Sequence, residues 1–340
     1  GIITASAGNH AQGVALSAAH LGLNALIVMP RTTPQIKVDA VKRLGAEVLL
    51  HGNTYDDAHQ HAHLLAGENG RTFIPPYDDP DVIAGQGTIA MEIMRQHQGN
   101  LDAIFVPVGG GGLIAGIAAY IKAIAPEIQV IGVEPDDAAC LKAALEADER
   151  VILKHVGIFA DGVAVKQIGA EPFRIARHYV DQVITVSSDE ICAAIKDIFE
   201  DTRSICEPAG ALAVAGLKRY VQEHEPSGRQ YVAIDSGANI NFDRLRYVAE
   251  RAEQREVILA VTIPERPGSF RSFCELLGPR AITEFNYRYA DRDQAHIFVG
   301  IHLAKGQEKR QLIEQLIQQE YPVLDLSDNE VAKLHIRYMV

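Results

Sequence analysis

Short apolar runs alternate with amphipathic stretches along roughly the first 245 residues of the chain. Four of these runs have the length and the continuous hydrophobicity of strands that are buried on both faces. They cover residues 25–29, 47–50, 104–108 and 130–133. The stretches between strands have helical periodicity, and helix-start residues such as Thr33, Thr54 and Ser188 precede three of them. This alternation predicts an α/β fold in which helices cover both faces of a doubly wound sheet.

The pattern changes near residue 250, where a charged stretch at 244–255 leads into a second module. An apolar strand beginning at residue 256 is followed by a Pro-Gly turn and by a helix with Phe270 and Phe273 on its apolar face. Two alternating strands, a polar helix and a short apolar segment follow, at residues 281–289, 296–303, 307–319 and 322–326. The order βαββαβ is typical of a ferredoxin-like α+β fold. We therefore expect two domains, at residues 1–250 and 256–334.

Four consecutive glycines, at positions 109–112, stand between the apolar run 104–108 and an apolar helix. Because glycines have no Cβ, their N–H groups can converge on one point, and the helix adds free N–H groups and the positive end of its dipole. The run therefore predicts a phosphate-binding loop. Its spacing matches neither a Walker A loop nor the G-x-G-x-x-G fingerprint. The alternative is a tight turn between strand and helix that binds no ligand.

Two more loops carry polar groups directly after predicted strands. Ser6, Asn9 and His10 lie at the start of a helix behind the strand 1–4. The segment DSGANIN, at 235–241, follows another apolar strand. Open α/β sheets bind ligands at the carboxyl ends of their strands. Turn chemistry alone is a poor explanation for three such loops in one chain, which favour a ligand site.

The motifs SAGNHAQG, PVGGGGL and SGANIN, in this order, resemble those of the β-family of pyridoxal-phosphate enzymes, in particular the threonine and serine dehydratases. The runs IPPYDDPDVIAGQGT at 74–88 and SICEPAGALAVAG at 204–216 also resemble that family. The resemblance covers residues 1 to about 250 at motif level. It implies the fold-type II, tryptophan synthase β-like architecture with pyridoxal 5′-phosphate as cofactor, and an ACT-like regulatory domain at 256–334.

The resemblance implies an ammonia-lyase that acts on L-threonine, and also on L-serine, at the first committed step of isoleucine biosynthesis. Isoleucine and valine are the effectors that it implies, and a homotetramer is the implied assembly. Two alternatives stay open. One is a serine dehydratase, a racemase or a β-replacing synthase, although such enzymes usually lack the ACT-like tail. The other is a non-catalytic protein that senses amino acids.

The resemblance also implies roles for individual residues. Asn9 would donate to the phenolic oxygen of the cofactor, and Ser236 would lie at the pyridine nitrogen. Ser6 and His10 would bind the substrate carboxylate. The phosphate would be held by the backbone of Gly109, Gly110, Gly111, Gly112 and Leu113. Two alternatives remain: His10 could cap its own helix, and Glu207 could lie near the ring or serve as an acid at a helix N-terminus.

One part of the family's pattern is absent. The family's Schiff-base lysine lies in the pattern S-F-K-x-R-G, upstream of the loop at residues 5–9 that contains Asn9 (the asparagine loop). This pattern does not occur here. The resulting expectation is a fragment that lacks its N-terminal segment and the catalytic lysine, ends after one of two ACT-like subdomains, and is inactive alone. Lysines such as Lys37, Lys42, Lys122 and Lys166 are expected to be solvated surface residues.

Residues 134–140 are a candidate region for a divalent cation site. Glu134 and Ala138 match a region in which related racemases and dehydratases bind a metal ion, but Cys140 occupies the expected aspartate position. Hard cations prefer oxygen ligands. We therefore expect no divalent metal site in this chain.

Composition narrows the class of partner. The net charge of -12 and the pI near 5.5 disfavour binding to nucleic acid or to an anionic membrane. The cysteines form no CxxC pair and are expected to be reduced thiols rather than a disulfide framework. They are Cys140, Cys192, Cys206 and Cys274. No apolar run has the length of a membrane span, and these features agree with a cytoplasmic enzyme.

Overall fold

A computed structural model describes residues 1–225, 227–240, 243–252, 256–289, 293–303 and 307–327. The chain divides into two compact units, Gly1–Ala252 and Glu253–Val340. The first unit contains two parallel sheets of four strands each, and the second contains one antiparallel sheet of four strands. The α/β class predicted for the first part of the chain is thereby confirmed.

The first sheet is built from β1 (Ile2–Ala5), β2 (Ala25–Met29), β3 (Glu47–Leu50) and β4 (Thr72–Phe73), in the order β3-β2-β1-β4. Its helices are α1 (Asn9–Leu21), α2 (Gln35–Arg43) and α3 (Tyr55–Asn69). Successive side chains of a strand point to opposite faces. Accordingly Ile27 and Met29 pack in one apolar cluster with α1 and α2, while Val28 packs in another with α3. Both faces of the sheet are therefore covered.

The second sheet has the order β7-β6-β5-β8. Its strands are β5 (Ala103–Pro107), β6 (Gln129–Pro135), β7 (Gln182–Val186) and β8 (Tyr231–Ala233). The helices around it are α4 (Pro80–Gln96), α5 (Gly112–Ile124), α6 (Cys140–Ala147), α7 (Ala170–Tyr179), α8 (Ser188–Thr202), α9 (Pro208–His224) and α10 (Asp243–Ala252), with a 3-10 helix at Asp161–Val163. Phe105 faces the cluster containing α8 and α9, whereas Ile104 and Val106 face the cluster containing α5.

The second unit has the predicted βαββαβ order. It consists of β9 (Glu256–Pro264), α11 (Ser269–Leu277), β10 (Ile282–Tyr289), β11 (Gln294–His302), α12 (Gln307–Gln318) and β12 (Val323–Asp325). The strand order is β10-β11-β9-β12, and the pairs are antiparallel. Phe273 and Leu277 of α11 and Leu312 and Leu316 of α12 are buried with the sheet in one core. The ferredoxin-like fold is confirmed for the described residues, and the predicted stretch 328–334 lies outside them.

The helix-start signals were accurate to within one or two residues. Thr54 forms a capping box with Asp57, as predicted, and Ser187, one residue before the predicted Ser188, forms one with Glu190. The expectation for Thr33 was wrong, because Pro34 holds the N-cap position of α2 and no side chain caps that helix. A proline after a candidate cap can thus take the cap position itself.

Two further findings concern cysteines and membranes. All four cysteines are free thiols; Cys140, Cys192 and Cys206 are buried, and Cys274 is half-buried. No helix in the described part of the chain is long and apolar enough to cross a membrane.

Candidate cofactor site

The three polar loops all follow the carboxyl ends of parallel strands. Residues 6–8 follow β1 in the first sheet, while the glycine run follows β5 and the DSGANIN loop follows β8 in the second. Because β5 and β8 are parallel neighbours, their loops lie together at the carboxyl end of that sheet. The Asn9 amide Nδ2 donates to Glu207 Oε1 at 2.8 Å. This hydrogen bond links the loop after β1 to Glu207, which is bonded to the loop after β8 in the second sheet.

The glycine run turns β5 into α5. Gly111 is the N-cap residue of α5, has φ +90°, and provides no side-chain cap, so the helix begins with N–H groups that no side chain caps. A Cβ on Gly110 would collide with the ring of Tyr77, and a Cβ on Gly112 would meet the Tyr77 Cβ at 3.0 Å. Only glycine fits this packing. The loop therefore offers backbone N–H groups and a helix dipole to an anion.

Helix α1 begins in the same way. Gly8 is its N-cap residue, and no side chain caps the helix. The Ser6 Oγ accepts the Gly8 N–H at 3.2 Å, which leaves the hydroxyl hydrogen of Ser6 available to a ligand. The start of α1 thus presents a second set of N–H groups beside a serine hydroxyl, an arrangement that suits a carboxylate.

The imidazole of His10 points back into the protein. Its Nε2 lies 3.0 Å from Thr4 Oγ1 and 3.2 Å from the Ile74 carbonyl, and it does not cap its own helix. The Thr4 hydroxyl already donates to Ile74 O at 2.7 Å, so Nε2 is the donor and carries the proton. Burial lowers the pKa of His10, which favours a neutral ring with Nδ1 as the acceptor. A neutral ring of this kind offers a carboxylate no N–H, whereas the backbone N–H of His10 can do so.

Glu207 is central to the site. It is the N-cap residue of α9, yet its side chain does not cap that helix; it accepts from Asn9, and its carboxylate also accepts the backbone N–H of Asn239. Glu207 therefore stands at the helix N-terminus, one of its two expected positions, while its carboxylate bonds to Asn9 and Asn239 instead of capping the helix. Burial raises the pKa of Glu207, and Asp161 raises it further, while the hydrogen bond from Asn9 and the charge of Lys37 lower it.

The DSGANIN loop packs against Glu207 through its glycine. The Glu207 N–H donates to Gly237 O at 3.0 Å. A Cβ on Gly237 would collide with Glu207 Oε1 and lie 2.5 Å from Asn9 Nδ2. Ser236 is exposed, with its Oγ 3.5 Å from Ala209 O. The buried Nδ2 of Asn239 has no hydrogen-bond partner, and Asn241 lies outside the described residues.

Two lysines depart from the expectation of solvated surface residues. The Lys37 side chain is only 11% exposed and pairs with Asp161 at 3.2 Å, and Lys122 is 12% exposed and pairs with Asp181 at 2.8 Å. The sequence gives no signal for either partner, because the ion pair between Lys37 and Asp161 joins elements that are far apart along the chain. Lys42 and Lys166 are exposed, as expected.

Glu134 and Cys140 have structural partners. The Glu134 carboxylate accepts the N–H groups of Leu141 and Lys142 at 2.7 and 2.9 Å, and Cys140 Sγ donates to Gly109 O at 3.4 Å. Burial raises the pKa of Glu134 to about 7 and that of the Cys140 thiol to about 12. These groups therefore link the start of α6 to the glycine run. Among the residues that the structure describes, no group of three or more potential ligands surrounds a metal position.

Comparison with known proteins assigns this geometry to a family. The family described as "Pyridoxal-phosphate dependent enzyme" matches residues 1–237, and the family described as "C-terminal regulatory domain of Threonine dehydratase" matches residues 248–336. The chain belongs to the threonine dehydratases. Enzymes of this family depend on pyridoxal phosphate.

Close relatives match the whole length of the chain. The biosynthetic L-threonine dehydratase of Pasteurella multocida is 60% identical over 100% of this chain and 67% of its own length. The corresponding enzyme of Escherichia coli is 58% identical over 100% of this chain and 67% of its own length. Both relatives are therefore longer than the sequence described above.

Solved structures agree with this membership. The processed threonine deaminase isoform 2 of Solanum lycopersicum is 50% identical, with a TM-score of 0.73 over 74% of this chain and 73% of that one. Maize serine racemase is 32% identical, with a TM-score of 0.68 over 73% of this chain and 76% of that one. The racemase shares the fold of the first unit. The match to the regulatory domain of threonine dehydratase is what assigns this chain to the threonine dehydratases within that fold.

The described residues of this threonine dehydratase fit pyridoxal phosphate. The glycine run brings its backbone close to Tyr77, Val163 and Ile168 where a Cβ would not fit, and α5 supplies first-turn N–H groups that no side chain caps. The Asn9 amide uses one of its two hydrogens on Glu207, and the other would be available to a phenolic oxygen. Ser236, on the loop after β8, offers a neutral hydroxyl to a ring nitrogen.

Proposed function

We propose that this protein is a pyridoxal-phosphate-dependent threonine ammonia-lyase, which converts L-threonine to 2-oxobutanoate and ammonia by β-elimination. The observation that carries the proposal is the contact between Asn9 and Glu207, because it places the asparagine loop at the edge of the sheet that bears the glycine run. The regulatory-domain match and the names of the relatives support threonine over other substrates of this fold.

The proposed roles follow from the chemistry of each group. The N–H groups of Gly109 to Leu113 hold the cofactor's phosphate, and Asn9 donates to its phenolic oxygen. Ser6 and the backbone N–H groups at the start of α1, that of His10 included, bind the substrate carboxylate. When bound, pyridoxal phosphate supplies an electron sink for the substrate's Cα. We assign no residue of this chain to the covalent step.

Ser236 sets the direction of the chemistry. An acid beside the pyridine nitrogen would keep it protonated and draw electrons into the ring. A neutral hydroxyl supports less charge there, so the electrons of the Cα–H bond leave with the β-hydroxyl of threonine. Elimination of this kind also suits L-serine, which has the same β-hydroxyl. The exposed Ser236 hydroxyl is compatible with this role.

We further propose that the second unit regulates the enzyme by binding isoleucine or valine. Its first loop, residues 264–269, precedes α11, which begins at the N-cap residue Gly268 without a side-chain cap. Such N–H groups suit the carboxylate of an amino acid. Phe270, next to this loop, contacts the rings of Phe285 and Tyr287, and the three rings offer an apolar surface to a branched side chain. The proposed assembly is a homotetramer, and four free thiols agree with a reducing, cytoplasmic setting.

The proposal is tested by assaying the full-length enzyme, loaded with pyridoxal phosphate, for 2-oxobutanoate formed from L-threonine. We expect deamination by the wild type and a severe loss in Asn9→Ala. The control is Gly85→Ala in α4, where a Cβ meets nothing within 4 Å. No deamination by a wild-type protein that still binds isoleucine would contradict the proposal and favour a non-catalytic sensor.

A further inference from the structure

Two side-chain contacts cross between the halves of the first unit. Lys37, on α2 beside the first sheet, pairs with Asp161 of the 3-10 helix at 3.2 Å. Asn9, on α1 beside the same sheet, donates to Glu207 at 2.8 Å. Both acceptors belong to the half that contains the second sheet. The positions of Lys37 and Asn9 are therefore tied to the same opposing surface.

The two acceptors are close enough to share the charge of Lys37. Glu207 is 5% exposed, and a Cβ on Gly162, the residue after Asp161, would lie 3.9 Å from Glu207 Oε1. The pKa of Glu207 is accordingly raised by Asp161 and lowered by Lys37. Two neighbouring carboxylates that are partly or fully buried repel each other unless a cation compensates them. Lys37 is such a cation, with its side chain only 11% exposed, and Arg244 also approaches Asp161, at 3.6 Å. Lys37 thus balances the negative charges of Asp161 and Glu207.

The charge of Glu207 determines which way the Asn9 amide faces. An ionised carboxylate only accepts hydrogen bonds, so it selects the Nδ2 side of the amide, as observed. A protonated carboxyl can donate, and it would then compete for the amide oxygen. With Nδ2 held at Glu207, the second hydrogen of that nitrogen remains available to a ligand.

We propose that Lys37 is a positioning residue of the cofactor site: by pairing with Asp161 and compensating Glu207, it holds the Asn9 amide in the orientation that donates to the cofactor's phenolic oxygen. This inference rests on the role given to Asn9 in the proposed function. Lys37 acts through two other residues and need not touch the cofactor.

The test uses pyridoxine 5′-phosphate, which keeps the phenolic oxygen and the phosphate but has no aldehyde, so its binding is independent of any lysine that bonds covalently to the cofactor. Calorimetric titration of the full-length apoprotein gives its affinity between pH 6 and 9. We compare the wild type with Lys37→Met and with Lys37→Arg, which keeps the charge. Lys42→Met is the matched control, since Lys42 lies on the same helix and is exposed.

We expect Lys37→Met to weaken binding about tenfold near neutral pH, because a hydrogen bond to a charged group is disturbed. The loss should shrink as the pH rises, since Glu207 ionises again even without Lys37. The titratable groups that face Glu207 in addition to Lys37 are Asp161 and Cys206, and they are unchanged in every variant. Lys37→Arg should bind nearly as well as the wild type.

Equal affinities and equal pH profiles for Lys37→Met and Lys42→Met would overturn the proposal. A loss in Lys37→Met that is the same at every pH and is shared by Lys37→Arg would also overturn it, since this indicates a packing role. An Asn9→Ala variant distinguishes a failure of the role proposed for Asn9 from a failure of the role proposed for Lys37. If it binds the probe as tightly as the wild type, the assignment of Asn9 in the proposed function is wrong; if it binds weakly while Lys37→Met does not, only the role of Lys37 is wrong.

Discussion

At the scale of single residues, two small residues of the DSGANIN loop, Ser236 and Gly237, shape the proposed site. Ser236 has an exposed hydroxyl, and Gly237 leaves room for Glu207 and Asn9. The sequence could indicate both through the motif. It could not show that Gly237 faces Asn9, because these residues are far apart along the chain and meet only when the two sheets come together.

Replacing Ser236 by aspartate tests the assignment of the ring nitrogen. In the full-length enzyme, Ser236→Asp should lower threonine deamination by orders of magnitude, because an acid beside the nitrogen changes the protonation of the ring and the path of the electrons. Steady-state kinetics measure the effect, and circular dichroism checks the fold. Near-normal turnover would show that Ser236 is not the partner of the nitrogen.

Adding one methyl group at Gly237 tests the packing of the site. A Cβ there meets Glu207 Oε1 and Asn9 Nδ2, so Gly237→Ala should destabilise the protein by about 1–3 kcal/mol and weaken cofactor binding. Gly85→Ala, in the open on α4, should be neutral or stabilising by up to about 1 kcal/mol. Urea denaturation and cofactor titration distinguish the two. Equal stabilities would mean that Asn9 and Glu207 do not pack against Gly237.

At the scale of secondary-structure elements, strands and helices followed the hydrophobic pattern closely. The strands 25–29 and 47–50 were predicted with the bounds observed for β2 and β3. What periodicity could not show is that the strands divide between two sheets, since each strand has the same apolar pattern whichever neighbour it pairs with. The cap of α2 was misassigned because Thr33 and Pro34 are both acceptable before a helix.

The attachment of helix α6 to the core can be tested at Glu134. Glu134 accepts its first N–H groups from within the core, so Glu134→Ala should lower the free energy of unfolding by roughly 2–4 kcal/mol. Burial raises the pKa of Glu134 to about 7, from an ordinary value of 4.5. A raised pKa means that the folded state binds the proton more tightly, and this stabilisation is present below about pH 4.5 and lost as the pH rises through 7.

The cost of Glu134→Ala should therefore be larger at pH 5 than at pH 8. Urea denaturation at the two pH values measures it, with Glu127→Ala as the control because Glu127 is exposed. A cost that grows with pH would contradict the direction of the pKa shift. A cost that equals that of the control would show that α6 does not depend on Glu134.

At the scale of the whole molecule, the chain combines a catalytic fold with a ferredoxin-like regulatory fold, and both were visible in the sequence. The loops that resemble the family follow β1, β5 and β8, as their positions after apolar runs predicted. The supporting residues Lys37, Asp161 and Tyr77 could not be assigned. They contribute through contacts with other elements, and such contacts leave no spacing signal in a single sequence.

Regulation by the second unit can be tested at two glycines of one helix. Gly268 and Gly278 flank α11, both with positive φ, at +98° and +63°. Gly268→Val should strain the loop proposed to bind isoleucine and reduce the fractional inhibition of threonine deamination. Gly278→Val imposes a comparable strain at the other end of the helix and should leave that fraction unchanged. Equal effects of the two variants would indicate general destabilisation, not effector binding.

The most direct test of the proposed cofactor site is a crystal structure of the full-length enzyme with pyridoxal phosphate. We expect a phosphate bound by the N–H groups of Gly109 to Leu113, a phenolic oxygen at Asn9 Nδ2 and a pyridine nitrogen at Ser236. Glu207 should still accept from Asn9, as it does here at 2.8 Å. A phosphate bound away from the glycine run, or a ring nitrogen that faces a carboxylate, would contradict the assignment of the site.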